Sequence, residues 1–325
     1  MHKSFQTPIE AHSELSPRWY VNTTNWSPTQ EQHALLLSLL RHPEAEQVTK
    51  YVRKEDQKRA LVSQLLQRHC VSTLSAIPHG LVTLKRTKGN KPFATTPKPD
   101  GAPNLNFNVS HEGDYTVLAA EPLCLVGVDV AAPSQLRRPG RPGGIQAAIQ
   151  LMRDQFSAAE WAWIHAQPDD SSLEARFQQL WSCKEAFIKA RGDGLGFQPL
   201  SRAQFSPMPS NPCCCSGRGS GGGSGIQMCL QLDGVTRHDW RFELHQLDGH
   251  WVAVAKGPPS AAVDAHGEFL GGMGCRDPSP AALQAALDCP SQAFTELRVE
   301  QLLSEEAQHM YLSLQQEDLE GIECC

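Results

Sequence analysis

Read for the spacing of its apolar residues, the chain moves between helical and extended rhythms. Trp19, Tyr20 and Val21 predict a short strand. Ser27, Pro28, Thr29 and Gln30 then read as an N-cap, a proline at N1 and a capping glutamine. They open a helix whose apolar side is Leu35, Leu36, Leu39 and Leu40. A second helical stretch after Pro43 carries Val48, Tyr51 and Val52, and a third, at 57–70, buries Leu61, Leu65 and Leu66. From 81 the rhythm becomes extended, with strands predicted at 81–84, 104–109, 115–120 and 125–129. Residues 110–114 form the turn between the second and third of these. The last, Leu125-Val126-Gly127-Val128, is apolar enough to be buried and brings Asp129 to its end.

Helical periodicity returns near Ser157, where Glu160 is the capping partner, and again over 171–191. There Leu173, Phe177, Leu180, Phe187 and Ile188 share a side, Ser171 and Glu174 form a capping-box pattern, and Gly192 stands as the C-cap. Between these regions, 133–144 is a polar loop with Arg137, Arg138 and Arg141. Residues 206–225, with three prolines, three adjacent cysteines and a Gly/Ser run, read as a low-complexity insertion. Residues 226–232, 240–247 and 251–255 alternate as strands, with Asp233-Gly234 and Asp248-Gly249 at the turns. Two amphipathic helices, 278–287 and 294–314, are expected within a C-terminal appendage at 259–325 that has no assigned role.

Composition narrows the function classes. A chain of 325 residues can bury a full core and hold two domains. A formal net charge of −6 lacks the basic surface that general nucleic-acid binding needs, so no nucleic-acid partner is expected. No apolar run reaches the roughly 18 residues of a membrane span. The N-terminus has no apolar core for a secretory signal, and Glu10 and Glu14 argue against a transit peptide. The 11 cysteines are an odd number, and Cys213-Cys214-Cys215 and Cys324-Cys325 are adjacent clusters without zinc spacing. Reduced thiols in a cytoplasmic monomer are the simplest expectation.

The candidate chemistry centres on Trp181-Ser182-Cys183-Lys184-Glu185-Ala186-Phe187-Ile188-Lys189. Glu185 and Lys189 are four apart on one flank of the predicted helix, and taken alone they read as a surface ion pair. Upstream stand Phe107-Asn108-Val109-Ser110-His111 and the Gly127-Val128-Asp129 strand. A buried Asp129 requires a cation or hydrogen-bond partners. Earlier still, Arg86-Thr87-Lys88-Gly89-Asn90-Lys91-Pro92 is a basic turn around one glycine. A hydrolase reading of adjacent Ser110 and His111 fails, because neighbours in an extended chain point to opposite faces.

An N-x-S-H segment, a G-V-D strand and a W-x-x-K-E-A-F-x-K helix, in that order, resemble the Sfp-like 4′-phosphopantetheinyl transferases of the aminoadipate-semialdehyde-dehydrogenase-activating type. The resemblance runs from about Trp19 to Lys256. It implies an α+β fold of two similar halves, 15–124 and 125–258, with coenzyme A in the cleft between them. It also implies transfer of the phosphopantetheine arm to a serine of an apo-carrier protein. By the same resemblance Arg86, Thr87, Lys88, Gly89, Asn90, Lys91, Asn108, Val109, Ser110 and His111 line coenzyme A. Asp129 and Glu185 suit Mg²⁺, Glu185 is the candidate base, directly or through a metal-bound water, and Lys189 suits the pyrophosphate.

Three positions depart from the family pattern. Gln47 stands where an arginine often takes the 3′-phosphate, with Lys50, Arg53 and Lys54 nearby. The second cation of the basic turn has moved to Lys88, with Asn90 following. Ala131 stands where many relatives have a second acid beyond the strand, and Glu112 is the candidate third metal ligand, the alternative being a solvated turn acid with water in that position. The competing class is a protein that binds coenzyme A or a carrier without catalysis. Such a protein would be expected to have lost Asp129, Glu185 or Lys189, and all three are present.

Overall fold

In the computed structural model, which describes residues 14–133, 136, 144–208 and 225–323, with side chains as far as 315, the elements run as follows. The first half comprises β1 (Arg18–Asn22), α1 (Gln30–Ser38), α2 (His42–Thr49), α3 (Lys54–Ser75), β2 (Leu84–Arg86), β3 (Pro92–Ala94), β4 (Asn106–Glu112) and β5 (Tyr115–Glu121). The second comprises β6 (Leu125–Ala131), α4 (Gly144–Gln150), α5 (Ala158–His165), α6 (Asp170–Arg191), β7 (Ala203–Pro207), β8 (Ile226–Leu232), β9 (Val235–Thr236), β10 (Arg241–Leu247) and β11 (His250–Gly257). The C-terminal segment adds α7 (Glu268–Gly271), α8 (Pro280–Asp288), β12 (Thr295–Glu296) and α9 (Glu305–Glu323). Cys213–Cys215, Cys324, Cys325, Arg137, Arg138, Arg141 and residues 209–224 of the low-complexity stretch lie outside the described residues. Among the described residues no helix is long and apolar enough to cross a membrane.

The fold is α+β, and its two halves are built alike. Each has a sheet, ordered β12-β1-β5-β4 in the first and β6-β11-β10-β8-β7 in the second, with β9 beside β8. Each also has a 22-residue helix, α3 or α6, ending in a left-handed residue, Ala76 or Gly192. Leu61, Leu65 and Leu66 of α3 pack with Phe107 and Leu118 of the first sheet. Phe177, Leu180 and Phe187 of α6 pack with Phe205, Phe242 and Ala253 of the second. A third core, of Tyr115, Val117, Val126, Val128, Val252 and Val254, sits between the halves.

The halves meet where β4 faces β6, and the junction is made by side chains. Asn106 Oδ1 accepts from Val126 N at 3.1 Å, Asn108 Oδ1 from Val128 N at 2.9 Å, and Ser110 Oγ from Val130 N at 3.3 Å. The strand period of two puts these three acceptors in a row, matching alternate N–H groups of β6. The other N–H groups of β6 belong to its ladder with β11. Burial of the β6 edge therefore leaves no backbone donor in this stretch unpaired.

Several boundaries differ from the sequence reading. The first helix is capped two residues later, by Thr29 with Gln32. The second ends at Thr49, leaving Val52 96% exposed. Residues 79–81 form a 3-10 turn and the strand begins only at Leu84, because Pro78 and Gly80 favour a turn there. Pairing with β5 carries β4 through Glu112, so the turn shrinks to Gly113-Asp114, and pairing with β11 carries β6 past Asp129 to Ala131. Asp169 caps α6 in place of Ser171, and Glu174 instead accepts from Leu136 N. Ser206 and Pro207 belong to β7. The Ser157–Glu160 box is present, and both Asp-Gly turns have positive φ at both residues.

The segment 259–325 also differs from the appendage expected. β12 pairs parallel to β1 through Trp19 and Tyr20, a 3-10 turn follows, and helix begins only at Glu305. Val299, Leu302, Ala307 and Tyr311 then enter the first-half core. Apolar residues that look like one long amphipathic helix in sequence are thus shared among a short strand, a 3-10 turn and a helix that starts later.

Candidate functional site

Asp129 owes its position to Gly127. A Cβ at Gly127 would lie 2.0 Å from Ala186 O and 2.4 Å from Ala190 N, so α6 rests directly on the β6 backbone there. That approach brings the next outward residue of β6 under the last turns of α6. Lys189 Nζ donates to Asp129 Oδ1 at 2.5 Å and to Ser110 Oγ at 2.9 Å, and Ser110 Oγ donates to Asp129 Oδ1 at 3.1 Å. One strand from each half and the helix of the second half therefore converge on a single carboxylate.

Glu185 lies one helical turn from Lys189. Burial raises its pKa, the negative charge of Asp129 raises it further, and Lys189 opposes both. A carboxyl group whose ionisation is disfavoured by burial and by a neighbouring negative charge marks a site that a cation would relieve. Lys184, the residue before Glu185, points the other way. Its ammonium lies fully buried 2.9 Å from Glu160 Oε2 and donates to the carbonyls of Leu200 and Ala203. Glu160 also accepts from Ser157 N and Phe205 N. That pair locks the rotation of α6 and leaves Glu185 and Lys189 facing outward.

They face a cleft of about 1020 Å³ lined by both halves. One wall is the basic turn between β2 and β3. It is closed by Thr87 N donating to Lys91 O at 2.9 Å, Lys91 N to Thr87 Oγ1 at 3.1 Å, and Arg86 Nη1 to Asn90 O at 3.1 Å. Asn90 holds φ 71°, the left-handed conformation asparagine tolerates. Gly89 touches the other half, where an added Cβ would come 1.8 Å from Gly192 O. The opposite wall is apolar and includes Met152, Trp181, Ile188 and Leu200.

Most of the sequence-predicted residues gather here. Arg86, Lys88, Gly89, Asn90, Lys91, Asn108, Val109, Glu185 and Lys189 line the cleft, with Asp129 and Ser110 bonded to Lys189. Some stand differently from the expectation. The Lys91 ammonium turns away from the phosphate wall and donates to Val126 O at 2.8 Å and Lys189 O at 3.3 Å, and burial lowers its pKa to about 7. Asn108 uses its side-chain oxygen on Val128 N. His111 lies on the opposite face of β4 from Ser110. Burial, then the charges of Lys189 and Arg59, lower its pKa to about 4, so it is a neutral imidazole. Gln47 is exposed on α2.

Glu112 is half-buried at the end of β4, on the face of Asn108 and Ser110. Among the described residues no group of three or more His, Cys, Asp or Glu side chains converges closely enough to hold a metal. Glu112 therefore does not close a three-acid set with Asp129 and Glu185. The donors that do fit a cation are Asp129 and Glu185, and two carboxylates suit a hard ion that keeps several waters. Sequence reasoning missed Asn106, the core role of Lys184 and the closeness set by Gly127. The alternation Asn106, Asn108, Ser110 was the available signal for the junction.

Comparison with known proteins agrees with this architecture. Residues 24–123 match the family model described as 4′-phosphopantetheinyl transferase, N-terminal, and residues 125–255 match that of the 4′-phosphopantetheinyl transferase superfamily. The chain is 35% identical over 246 residues to the L-aminoadipate-semialdehyde dehydrogenase-phosphopantetheinyl transferase of Mus musculus, covering 75% of this chain and 76% of the relative. The Homo sapiens protein of that name matches to the same extent. A phosphopantetheinyl transferase of Thraustochytrium sp. is 34% identical over 252 residues, covering 76% and 80%.

Proposed function

The chain belongs to the 4′-phosphopantetheinyl transferase superfamily, and from that premise we propose how its cleft carries out the reaction. The enzyme transfers the phosphopantetheine arm of coenzyme A to a serine hydroxyl of an apo-carrier protein or carrier domain, releasing adenosine 3′,5′-bisphosphate. The observation that carries the assignment of roles is the convergence of Asp129, Glu185 and Lys189 beneath a basic turn supplied by the other half.

In this reading Arg86 and Lys88 hold the phosphates, and His111 offers them a neutral N–H. Thr87, Gly89, Asn90 and the buried Lys91 keep the turn in shape for that contact. Asn108, Val109 and Ser110 form the floor. Lys189, half-exposed and anchored on Asp129, meets the pyrophosphate at the bond that breaks. Glu185, whose carboxylate basicity is raised by burial and by Asp129, takes the serine proton as the hydroxyl oxygen attacks phosphorus. Asp129 and Glu185 would hold Mg²⁺, which supplies positive charge to offset that building on the pyrophosphate. Positioning of two bound substrates supplies much of the remaining acceleration.

The test is incubation of the protein with coenzyme A, Mg²⁺ and a panel of apo-carriers of fatty-acid, polyketide, peptide-synthetase and aminoadipate-reductase type. Mass spectrometry then looks for gain of the arm on the carrier serine. Transfer to at least one carrier, lost in Asp129→Ala, is the expected result. Binding of coenzyme A without transfer to any carrier would favour the non-catalytic class.

A further inference from the structure

The last turn of α6 is held from outside its own half. Carbonyls at a helix C-terminus have no intrahelical donor and must find one elsewhere. In α6 the Arg191 carbonyl accepts from Val263 N at 2.7 Å, and the Lys189 carbonyl accepts from the Lys91 ammonium at 3.3 Å. A cation at this end also opposes the negative pole of the helix dipole. The same ammonium donates to Val126 O at 2.8 Å, near the start of β6. Lys91 lies between β2 and β3, so one side chain of the first half joins the first strand of the second half to the end of its long helix.

The surroundings commit Lys91 to this place. Its stem passes over Gly192, where an added Cβ would stand 3.4 Å from Lys91 Cβ and 3.5 Å from Lys91 Cδ. The Phe269 ring, from the segment beyond β11, lies 5.5 Å from the ammonium in a cation–π contact. Lys91 is 2% exposed, whereas Arg86 and Lys88 of the same turn are exposed. Among the described residues no carboxylate pairs with it, and the two carbonyls accept its hydrogen bonds. Those carbonyls flank the closest approach of β6 and α6, where an added Cβ on Gly127 would stand 2.4 Å from Ala190 N.

We propose that Lys91 is a positioning residue for Lys189. The proposal rests on the transferase reading, in which Lys189 meets the pyrophosphate, and deepens it. The first half grips Lys189 at both ends, its carbonyl through Lys91 and its ammonium through Ser110 Oγ at 2.9 Å. A lysine stem is long and flexible, so its charge is fixed only when both the backbone and the tip are held. Without the Lys91 amine, the Lys189 carbonyl loses its donor and the last turn of α6 loses its tie to β6. Lys91 therefore serves the reaction through the helix, while the phosphates belong with Arg86 and Lys88.

The experiment is a double-mutant cycle of Lys91→Met and Lys189→Met. Coenzyme A binding is measured without metal, and kcat is measured at saturating coenzyme A on an apo-carrier that wild type modifies. Methionine keeps most of the lysine stem and removes the N–H donors. Lys91→Met should leave coenzyme A affinity within about twofold and lower kcat roughly tenfold to a hundredfold, the loss expected of a misplaced group. In the Lys189→Met background the same substitution should change kcat by less than about twofold, because a residue acting through Lys189 then has nothing to position. Equal losses in both backgrounds would overturn the proposal. So would weakened coenzyme A affinity with kcat retained, which would make Lys91 a phosphate contact. Thermal unfolding checks that each variant is folded. If Lys91→Met is not, Lys91→Gln, which keeps N–H groups for the carbonyls, takes its place in the cycle. Full kcat in Lys189→Met alone would strike the role given to Lys189, and the proposal with it.

Discussion

Helix α6 carries two lysine–carboxylate pairs five residues apart, and they do opposite work. Lys184 and Glu160 are both fully buried, and between them they bond the carbonyls of Leu200 and Ala203 and the N–H groups of Ser157 and Phe205. Burial lowers the Lys184 pKa, while the charge of Glu160 acts to raise it. Lys189 and Asp129 are closer still, but the lysine is 29% exposed and a second carboxylate, Glu185, stands beside them with a raised pKa. The first pair is electrostatically closed and fixes a helix. The second has excess negative charge and an open side, which suits it to the proposed exchange of partners with an incoming pyrophosphate or cation. A salt bridge's solvent access and charge balance, rather than its length, separate the two roles.

Removing the open pair's acceptor should have the largest effect. Asp129→Ala is expected to abolish arm transfer while leaving a cooperative thermal unfolding transition close to wild type. Wild-type turnover at saturating Mg²⁺ would place the chemistry elsewhere. Glu185→Gln preserves shape and removes the proposed base, so kcat should fall roughly 10²-fold or more. An unaltered kcat would return Glu185 to the role of a surface acid.

The closed pair should behave in the reverse way. Glu160→Ala leaves the Lys184 charge buried and alone, and denaturant unfolding should report a loss of about 3–5 kcal/mol. The kcat of the folded fraction should change little. A large fall in kcat with full stability would erase the distinction between the pairs. At the junction of the halves, Asn108→Ala leaves Val128 N without its acceptor, a cost of about 1–3 kcal/mol by the same measurement.

The last effect concerns pH and is read as a slope. Lys91 has a folded-state pKa of about 7, below its ordinary value of 10.5, so the unfolded chain binds more protons across that interval. Its contribution to stability is therefore fully present above the unfolded value and is lost as pH falls toward 7. Lys91→Met should flatten the rise of unfolding free energy between pH 7 and 10, measured by denaturant titration. An identical slope in both proteins would mean that the amine stays charged in place.

Local chemistry along the chain was enough to determine much of this protein. The Leu61, Leu65, Leu66 spacing made α3, the Ser157–Glu160 box started α5, and the Asp233-Gly234 and Asp248-Gly249 pairs set two hairpins. The order of the Asn108–His111, Asp129 and Glu185–Lys189 motifs indicated the family through its resemblance. Tertiary structure decided the partnerships. Nothing at positions 126–130 says that the β6 edge will take its acceptors from Asn106, Asn108 and Ser110, because those contacts span about twenty residues and depend on how two sheets meet. Lys91 reads as one more cation of a basic turn until Val126 O and Lys189 O appear beside it. Lys184 and Lys189 are alike in sequence, and only packing against Glu160 or Asp129 makes one a core strut and the other a cleft cation. The physical reason is range. Capping, turn formation and periodicity act within a few residues, whereas desolvation and charge pairing depend on which distant groups the fold brings within a few ångströms.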